Sequence, residues 1–412
     1  NLAAVGLYMV LLARLVGPRR TLLATLLLVS LPAFSLYARI ATENFALNPL
    51  CAVGGTLCLR LGWERRGWGW PSLAGALFAL GTYNHLVFVA YPLALGLAML
   101  CGRWRRQLWR SAALALLGFT LCYAVPTGWQ LLHPEGQTFV VRARRIKSRE
   151  VLHRLLQTPR AVGEMLHGDM LYFRFAGEVA EPAPPLTVAM GLLCGAILLA
   201  AVVRRAPHWQ TAGFLGLTAL FTVLFLQVMV PNNTLHYFLL LVWMLPVAMV
   251  LALRHVRARL TLAMALLALC GNNVRRTYVN MVASPQARQG RCGAVAFADN
   301  VVISSHFTDV RPLYEALRAR QIEVVWAEPL IGWSLQALDL GRDALQVRIV
   351  KQDDLRPRPP PGTLIAEYRA PPHEASTAEW AQARTRLHLD NFLVREVSAG
   401  SATEMMALPS RP

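Results

Sequence analysis

The amino-acid sequence predicts an all-α polytopic membrane protein with about ten transmembrane helices, followed by a small C-terminal α/β soluble domain. Of its 412 residues, 55% are hydrophobic and the mean hydropathy is +0.40, which is more apolar surface than a soluble domain has use for. Near residue 275 the long apolar runs give way to short strand-like segments that alternate with amphipathic helices. We therefore predict a transmembrane domain at 1–274 and an extracytoplasmic α/β domain at 275–412.

Ten apolar runs, with charges only at their edges, follow one another through the first domain. Most approach the roughly 20 residues that a helix needs to cross a bilayer. The fourth and fifth runs are short and are separated by Tyr83, Asn84 and His85, so this region reads either as one long helix or as a hairpin. The ten runs cover 1–17, 21–38, 45–62, 71–83, 86–101, 111–131, 186–203, 211–230, 236–253 and 260–274.

Arginine is unevenly distributed over the connections between these runs. Taken alternately, one set of short connections contains 14 arginines, whereas the other set contains only Arg39. The positive-inside rule places the arginine-rich set in the cytoplasm. This alternation requires a hairpin at residues 83–85, and it places the 132–185 connection and the C-terminal domain on the outer face with Arg39.

The outer connection at 132–185 is long and basic. Residues 151–156 read as a short amphipathic helix lying on the membrane surface. One interpretation is a solvated loop that touches phospholipid, and the other is a cradle for an anionic, lipid-linked phosphate contacted by Arg142, Arg144 and Arg145. We favour the cradle, because a connection this long between spans is more often functional than a short one.

The C-terminal domain shows the alternation of a small α/β layer fold, without a motif that identifies its function. It contains no glycine-rich phosphate loop after a strand, no HExxH, no GxSxG and no paired CxxC. His306, Asp309 and Asp299 follow strand-like segments, and a satisfied turn explains them better than a site. We predict strands at 293–298, 301–305, 323–326, 362–368 and 392–397, and helices at 310–321 and 377–387.

Charge and cysteine content exclude several classes of function. Residues 1–274 contain 24 basic and 8 acidic side chains, whereas 275–412 contain 17 and 15, so the basic excess belongs to the membrane part. This favours contact with anionic lipid headgroups over nucleic acid. Six of the seven cysteines lie in apolar runs and predict packing rather than disulfides, and no Cys/His spacing or carboxylate cluster indicates a metal. No certain cofactor follows, and the need for a divalent ion stays open.

The segment 37–48 joins two of the apolar runs and carries Arg39 and Glu43 with almost no other charge nearby. The i,i+4 spacing lets these two side chains share one helix face. A helix-end ion pair that anchors the segment is one interpretation. Ionisable residues at the edge of a bilayer are also candidates for function. We favour a site, because the predicted topology brings the segment to the same face as the basic connection, Asn84, His85 and His236.

Three stretches resemble integral-membrane C-type glycosyltransferases, which include the protein O-mannosyltransferase and lipid A aminoarabinose transferase families. Residues 37–44 are similar to an R-x-A-x-x-E/D segment after the family's third helix. Residues 73–85 resemble its G-x-x-x-G-x-x-x-Y/K hairpin, although some relatives carry lysine where this chain has Tyr83, Asn84 and His85. Residues 235–246 are similar to an R/H-Y-x-L-P-x-x-P entry to a late helix.

The resemblance implies transfer of a sugar from a polyprenyl-phosphate-linked donor to a glycan, lipid or protein acceptor at the outer face of a bacterial inner membrane. Arg39 would offset charge on the departing phosphate. Glu43 would orient Arg39 or the acceptor. His85 and His236 would donate hydrogen bonds to phosphate oxygens, and anchoring at the membrane interface is the other interpretation of both. Tyr83 and Tyr237 lie beside them, where a place in the aromatic belt of the membrane interface explains them better than substrate binding.

The family's general base lies in a first outer loop that this sequence does not contain, which implies an N-terminally truncated member with supporting residues of the site. Two other functions stay open. A flippase or transporter for a lipid-linked oligosaccharide would want internal repeats and polar residues deep inside helices, neither of which is evident. A polysaccharide ligase or polymerase would use the same donors and a long outer loop.

Overall fold

The computed structural model of the 412-residue chain forms two compact units, one of residues 1–168 and 183–276, the other of residues 169–182 and 277–412. The residues that the structure describes are 2–37, 47–65, 67–101, 105–132, 148–206, 209–229, 238–284, 294–297, 300–303, 309–327, 329–342, 344–349, 362–368, 384–389 and 392–396.

The first unit is built of α-helices, and each predicted apolar run coincides with helix. Its helices are α1 (Leu2–Leu15), α2 (Pro18–Ser30), α3 (Pro32–Tyr37), α4 (Leu47–Arg65), α5 (Gly69–Asn84), α6 (Ala90–Cys101), α7 (Arg105–Leu132), α8 (Ser148–His167), α10 (Pro185–Val203), α11 (Trp209–Met229), α12 (Met244–Ala252) and α13 (Arg259–Tyr278). Short 3₁₀ turns at Leu86–Val89 and Leu239–Leu241 precede α6 and α12. Helix α9 (Asp169–Ala176) belongs to the second unit.

Three helices of the described chain are long and apolar enough to cross a membrane on length and composition alone, at Ser111–Trp129, Pro185–Val203 and Trp209–Met229. Leu2–Leu15 and Leu86–Cys101 are apolar but shorter. The predicted count of about ten spanning helices therefore stays a prediction. Large apolar side chains of α7 and α10 are exposed, among them Val125 at 74% and Leu192 at 70%, as expected of helices that face lipid.

Helices α5 and α7 approach until their backbones touch. A Cβ atom added to Gly75 would lie 1.8 Å from the carbonyl oxygen of Ala115, and one added to Gly118 would lie 2.0 Å from that of Ser72. Small residues allow such an approach, and dispersion contacts along the two helices then stabilise the pair.

Aromatic side chains fill the centre of the first unit. The Trp243 ring lies 6.4 Å from the rings of both Tyr8 and Tyr91, in edge-on arrangements. The Tyr8 hydroxyl donates to the Trp243 carbonyl oxygen at 3.1 Å, and the Tyr91 hydroxyl shares a 2.7 Å hydrogen bond with Thr56. The buried phenols are therefore satisfied, and they connect α1, α4 and α6 to the start of α12.

The second unit contains a five-stranded mixed sheet and a separate hairpin. The sheet has the order β4-β3-β5-β7-β6, in which β3 is parallel to β4 and β5, while β7 is antiparallel to β5 and β6. Its elements are β1 (Ala294–Phe297), β2 (Asn300–Ile303), α14 (Arg311–Ala319), β3 (Val324–Ala327), α15 (Pro329–Asp339), β4 (Gln346–Ile349), β5 (Leu364–Tyr368), β6 (Arg384–His388) and β7 (Phe392–Glu396). Strands β1 and β2 pair with each other as the hairpin. Leu313, Leu317, Val325, Ile331 and Val394 form the core between helices and sheet.

The structure differs from the sequence prediction in a few places. The helix expected at 377–387 is wrong in its last part, because Arg384–His388 forms β6, paired with β7. Helix α15 and strand β4 were not predicted from the sequence. Residues 169–182 belong to the second compact unit rather than to the first, and Asn280 holds them by bonds to the backbone N–H and carbonyl of Glu181 at 3.0 and 3.1 Å. The domain limits 1–274 and 275–412 stay a prediction.

Candidate functional site

Of the predicted site residues, Tyr83, Asn84 and His85 lie in the part of the chain that the structure describes. The roles of the others stay predictions. Those outside the described residues are Arg39, Glu43, Arg142, Arg144, Arg145, His236 and Tyr237.

Tyr83 and Asn84 are the last two residues of α5, and the chain breaks at His85 before the 3₁₀ turn that precedes α6, where the arginine distribution predicted an interruption. Helix α5 ends at Asn84, and His85 adopts an extended conformation with φ −154° and ψ 112°. The His85 N–H donates to the Gly81 carbonyl at 3.0 Å, and the His85 carbonyl accepts from the N–H of Phe88 at 2.8 Å, which starts the next turn. Both backbone groups of His85 are therefore satisfied at the break.

Burial lowers the pKa of His85 below that of a solvated imidazole. The ring is consequently neutral at pH 7, where one ring nitrogen donates a hydrogen bond and the other accepts one. A neutral donor fits the predicted role of His85 toward a phosphate oxygen. Tyr83 is 42% exposed at the same turn.

A hydrogen bond joins this turn to the last residue of the 37–48 segment. Asn84 Nδ2 donates to Asn48 Oδ1 at 2.9 Å, and Asn48 is the last residue of the 37–48 stretch. The 3₁₀ turn Leu239–Leu241, in the third stretch, also packs against α4. Described parts of the second and third stretches thus both contact α4, although more than 150 residues of chain separate Asn84 from Leu239.

Helix α8 is longer and more deeply placed than the predicted surface helix at 151–156. It runs from Ser148 to His167 and packs against α3, α10 and α11. Arg154 and Glu164 are buried, at 7% and 6% exposure. Two charged side chains of α8 therefore lie inside the helical unit, and the placement of this helix on the membrane surface stays a prediction.

Buried polar groups continue from α8 to α13. His167 Nε2 lies 3.5 Å from Glu164 Oε1, and Arg276, which has no exposed surface, donates from Nη1 to the His167 carbonyl oxygen at 2.7 Å. Ionisable groups inside a membrane domain are costly and usually functional. Sequence reasoning missed Arg154, Glu164 and Arg276 as site residues. In the sequence, Arg154 lies between apolar residues of an amphipathic stretch, and this position could have indicated that it is buried.

Beside α8 lies a cavity of about 810 Å³, within the size range of ligand sites. Its walls are almost entirely apolar and come from α6, α8, α10, α11 and α12. Along α11 it reaches from Trp209 to Val223, a length of about 21 Å at 1.5 Å per residue. An elongated apolar cavity of this kind suits a hydrocarbon chain better than a polar ligand.

Polar groups lie where α8 lines this cavity. Thr158, Val162 and Met165 contribute to its wall, and the Thr158 hydroxyl accepts a hydrogen bond from Gln227 Nε2 at 3.3 Å. Arg154 precedes Thr158 by four residues and therefore shares its helix face. A buried guanidinium thus neighbours the cavity wall. Among the described residues, no three or more His, Cys, Asp and Glu side chains form a group that would hold a metal ion.

No protein-family model and no curated protein matches the chain by sequence. Two solved structures match it in fold. The crystal structure of ArnT from Cupriavidus metallidurans bound to undecaprenyl phosphate has a TM-score of 0.54 and 15% identity, over 99% of this chain and 83% of ArnT. ArnT in the apo state gives 0.55 at the same identity and coverage. ArnT is an aminoarabinose transferase of the C-type glycosyltransferase superfamily. The fold that the resemblance implied is therefore confirmed, since the chain shares the fold of ArnT. Its apolar helices, three of them in the described chain long enough to cross a membrane, support an integral membrane protein.

Proposed function

We propose that this protein transfers a sugar from a polyprenyl-phosphate-linked donor to a glycan, lipid or protein acceptor at the outer face of the membrane. The elongated apolar cavity of the first unit carries the proposal, because it fits a polyprenyl chain in length and polarity. The fold supports it, since one of the two similar ArnT structures contains bound undecaprenyl phosphate.

In this proposal the phosphate of the donor lies at the end of the cavity near Arg154. A guanidinium binds a phosphate through two parallel hydrogen bonds, and burial strengthens them because water no longer competes. Thr158 and Gln227, which bond to each other one helical turn away, hold the neighbouring wall in place. In this arrangement apolar contacts bind the polyprenyl chain, and the positive charge of Arg154 binds the phosphate.

The transfer breaks the bond between the anomeric carbon and the phosphate oxygen. An acceptor hydroxyl attacks that carbon, its proton passes to a base, and polyprenyl phosphate leaves with the bonding electron pair. Arg39 would offset the charge that develops on the departing phosphate, and the neutral His85 ring would donate to one of its oxygens. Glu43 would orient Arg39 or the acceptor, and His236 would act beside His85.

The test is an incubation of membranes that contain the protein with radiolabelled polyprenyl-phosphate sugars. We expect label to move from the lipid to an acceptor, and Arg154→Ala to slow this transfer by about a hundredfold, the effect of losing one strong electrostatic contact. Arg154→Lys should recover part of the rate because it keeps the charge. Arg204→Ala, at an exposed arginine after α10, is the matched control.

Three results would contradict all or part of the proposal. Label that crosses the bilayer while still attached to its lipid would indicate a flippase instead. Equal transfer by Arg154→Ala and by the control would show that Arg154 is not part of the site. Absence of transfer from every donor would contradict the proposed glycosyltransferase activity.

A further inference from the structure

Two connections between helices of the first unit contain several arginines and no carboxylate. The first connection joins α1 to α2 and the second joins α12 to α13, and α2 packs against α12. No Asp or Glu occurs in the sequence between residues 1 and 42, or between 182 and 298. The arginines in these two connections and in the helical turns that follow them are Arg19, Arg20, Arg254, Arg257 and Arg259.

Two of these arginines meet at one backbone oxygen. Arg254 Nη2 donates to the carbonyl oxygen of Val16 at 2.9 Å, and Arg20 Nη1 lies 3.4 Å from the same oxygen. Val16 directly follows α1, where the helix dipole places partial negative charge. The partial negative charge at the end of α1 and one carbonyl oxygen cannot balance two guanidinium ions. Arg20 and Arg254 therefore retain a positive electrostatic potential between them.

The Arg254 side chain also has an unused donor. Its Nε is buried from solvent and has no hydrogen-bond partner among the described residues. Burial lowers the pKa of Arg254, and repulsion from Arg20 lowers it further, which shows that the surroundings disfavour the charge. A buried N–H without a partner costs about 1–3 kcal/mol in general, and a bound anion would remove that cost.

We propose that Arg20 and Arg254 form a binding site for the phosphate group of an anionic membrane lipid. The guanidinium of Arg254 keeps its buried Nε donor for the ligand while Nη2 donates to the Val16 carbonyl oxygen. The predicted topology places these connections at the cytoplasmic leaflet, and basic pockets between membrane helices on that side bind anionic headgroups. The site is separate from the cavity proposed for the donor, as neither Arg20 nor Arg254 lines it.

The experiment measures thermal unfolding of the full chain, purified in detergent and freed of lipid, during titration with phosphatidylglycerol or phosphatidylcholine. A third arm uses inorganic phosphate at constant ionic strength. We expect phosphatidylglycerol to raise the unfolding temperature of the unchanged chain. Arg254→Gln and Arg20→Gln should each need about tenfold more of this lipid for half of the effect, equivalent to about 1.4 kcal/mol. Phosphatidylcholine should have little effect.

Arg204→Gln is the matched control, since it removes the same charge from an exposed position after α10. Arg254→Lys keeps the charge and guards against a failure of Arg254→Gln to fold. Equal responses of Arg204→Gln and Arg254→Gln would overturn the site and leave only a general surface attraction. Stabilisation by inorganic phosphate that both glutamine variants lose would support the phosphate site but overturn the lipid as its occupant.

Discussion

Asn84 Nδ2 donates a 2.9 Å hydrogen bond to Asn48 Oδ1, across 36 residues of sequence. Asn48 is 6% exposed, so the bond satisfies an amide that would otherwise be buried without a partner. The bond joins the first turn of α4 to the last residue of α5. It thereby ties the end of the 37–48 segment to the turn that carries His85.

The first prediction concerns this pair. Asn84→Ala and Asn48→Ala should each lower the free energy of unfolding by about 1 kcal/mol, because each removes the hydrogen bond between Asn84 Nδ2 and the buried Asn48 Oδ1. The double variant should cost less than the two single changes added together. The measurement is thermal or denaturant unfolding of the full chain in detergent. Thr127→Ala removes an exposed hydroxyl that bonds the Tyr123 carbonyl and serves as the control. Additive costs would show that the two asparagines act independently.

Glycines at the α5–α7 contact provide the second prediction. Gly75→Ala and Gly118→Ala should each destabilise the first unit by about 3 kcal/mol, since the new methyl group collides with backbone that cannot rotate away. Gly128→Ala, also in α7, meets nothing within 4 Å and should leave stability unchanged or raise it by about 0.5–1 kcal/mol. Unfolding temperatures of the three variants provide the comparison. Similar values for all three would contradict the close approach of the helices.

A third prediction tests the occupant of the apolar cavity. Gly213 lines the cavity with open space around it, so Gly213→Phe should fill part of the volume. Transfer from a donor with a long polyprenyl chain should fall about tenfold or more, because excluding two methylene groups already costs about 1.6 kcal/mol. A donor with a short chain should be affected less.

The control for this experiment is Gly6→Phe, which adds the same ring on the exposed side of α1. Its transfer rates should equal those of the unchanged chain with both donors. If Gly213→Phe slowed the short and long donors to the same extent, the cavity would not be the site of the polyprenyl chain.

The fourth prediction concerns a buried carboxylate of the second unit. Asp339, at the end of α15, accepts hydrogen bonds from the Tyr314 hydroxyl at 2.9 Å and from the Leu345 N–H at 3.0 Å. Burial by itself raises the pKa of Asp339, but hydrogen bonds from the Leu345 N–H, the Tyr314 hydroxyl and the Ala344 N–H outweigh it, with help from the charge of Arg318. The net effect is a lowered pKa.

The direction of the pH dependence follows from the lowered pKa. Between the folded and the unfolded pKa the unfolded chain binds more protons, so stability rises with pH in that interval. The contribution of Asp339 is fully present above the ordinary aspartate pKa of about 4 and is lost as the pH falls through the lowered folded value. Asp339→Asn should therefore destabilise the second unit at pH 7 and flatten its acid dependence, which hydrogen exchange of residues 311–349 would detect.

Asp309→Asn is the companion control for Asp339→Asn. The Asp309 carboxylate accepts from the Arg311 guanidinium at 2.6 Å and from its N–H at 3.0 Å, and these bonds lower the Asp309 pKa. The pair is exposed, however, so water screens it and it should contribute little to stability. The same geometry agrees with the satisfied turn inferred for Asp309. Equal loss of protection in both variants would contradict the structural role given to Asp339.

Sequence reasoning located most helices and the α/β character of the last third, because both depend on local patterns. An apolar run coincides with a helix wherever the described chain allows a comparison, and the break at Asn84 and His85 follows from the arginine count. The sequence prediction failed at 384–388. This segment has a pattern compatible with helix but forms β6, because pairing with β7 decides its conformation. All five strands expected in the last third overlap an observed strand, whereas β4, which was not expected, depends on its partner β3.

For the site, the sequence by itself determined which segments carry the resemblance and that the apolar run is interrupted at Tyr83, Asn84 and His85. Only the tertiary structure decided that Asn48 meets Asn84, that Arg154 and Glu164 are buried, and that helices distant in sequence enclose an apolar cavity beside them. The physical reason is the range of the interactions. Hydropathy and charge act residue by residue against the surrounding lipid and water, whereas burial and cavities arise from packing between helices that lie far apart along the chain.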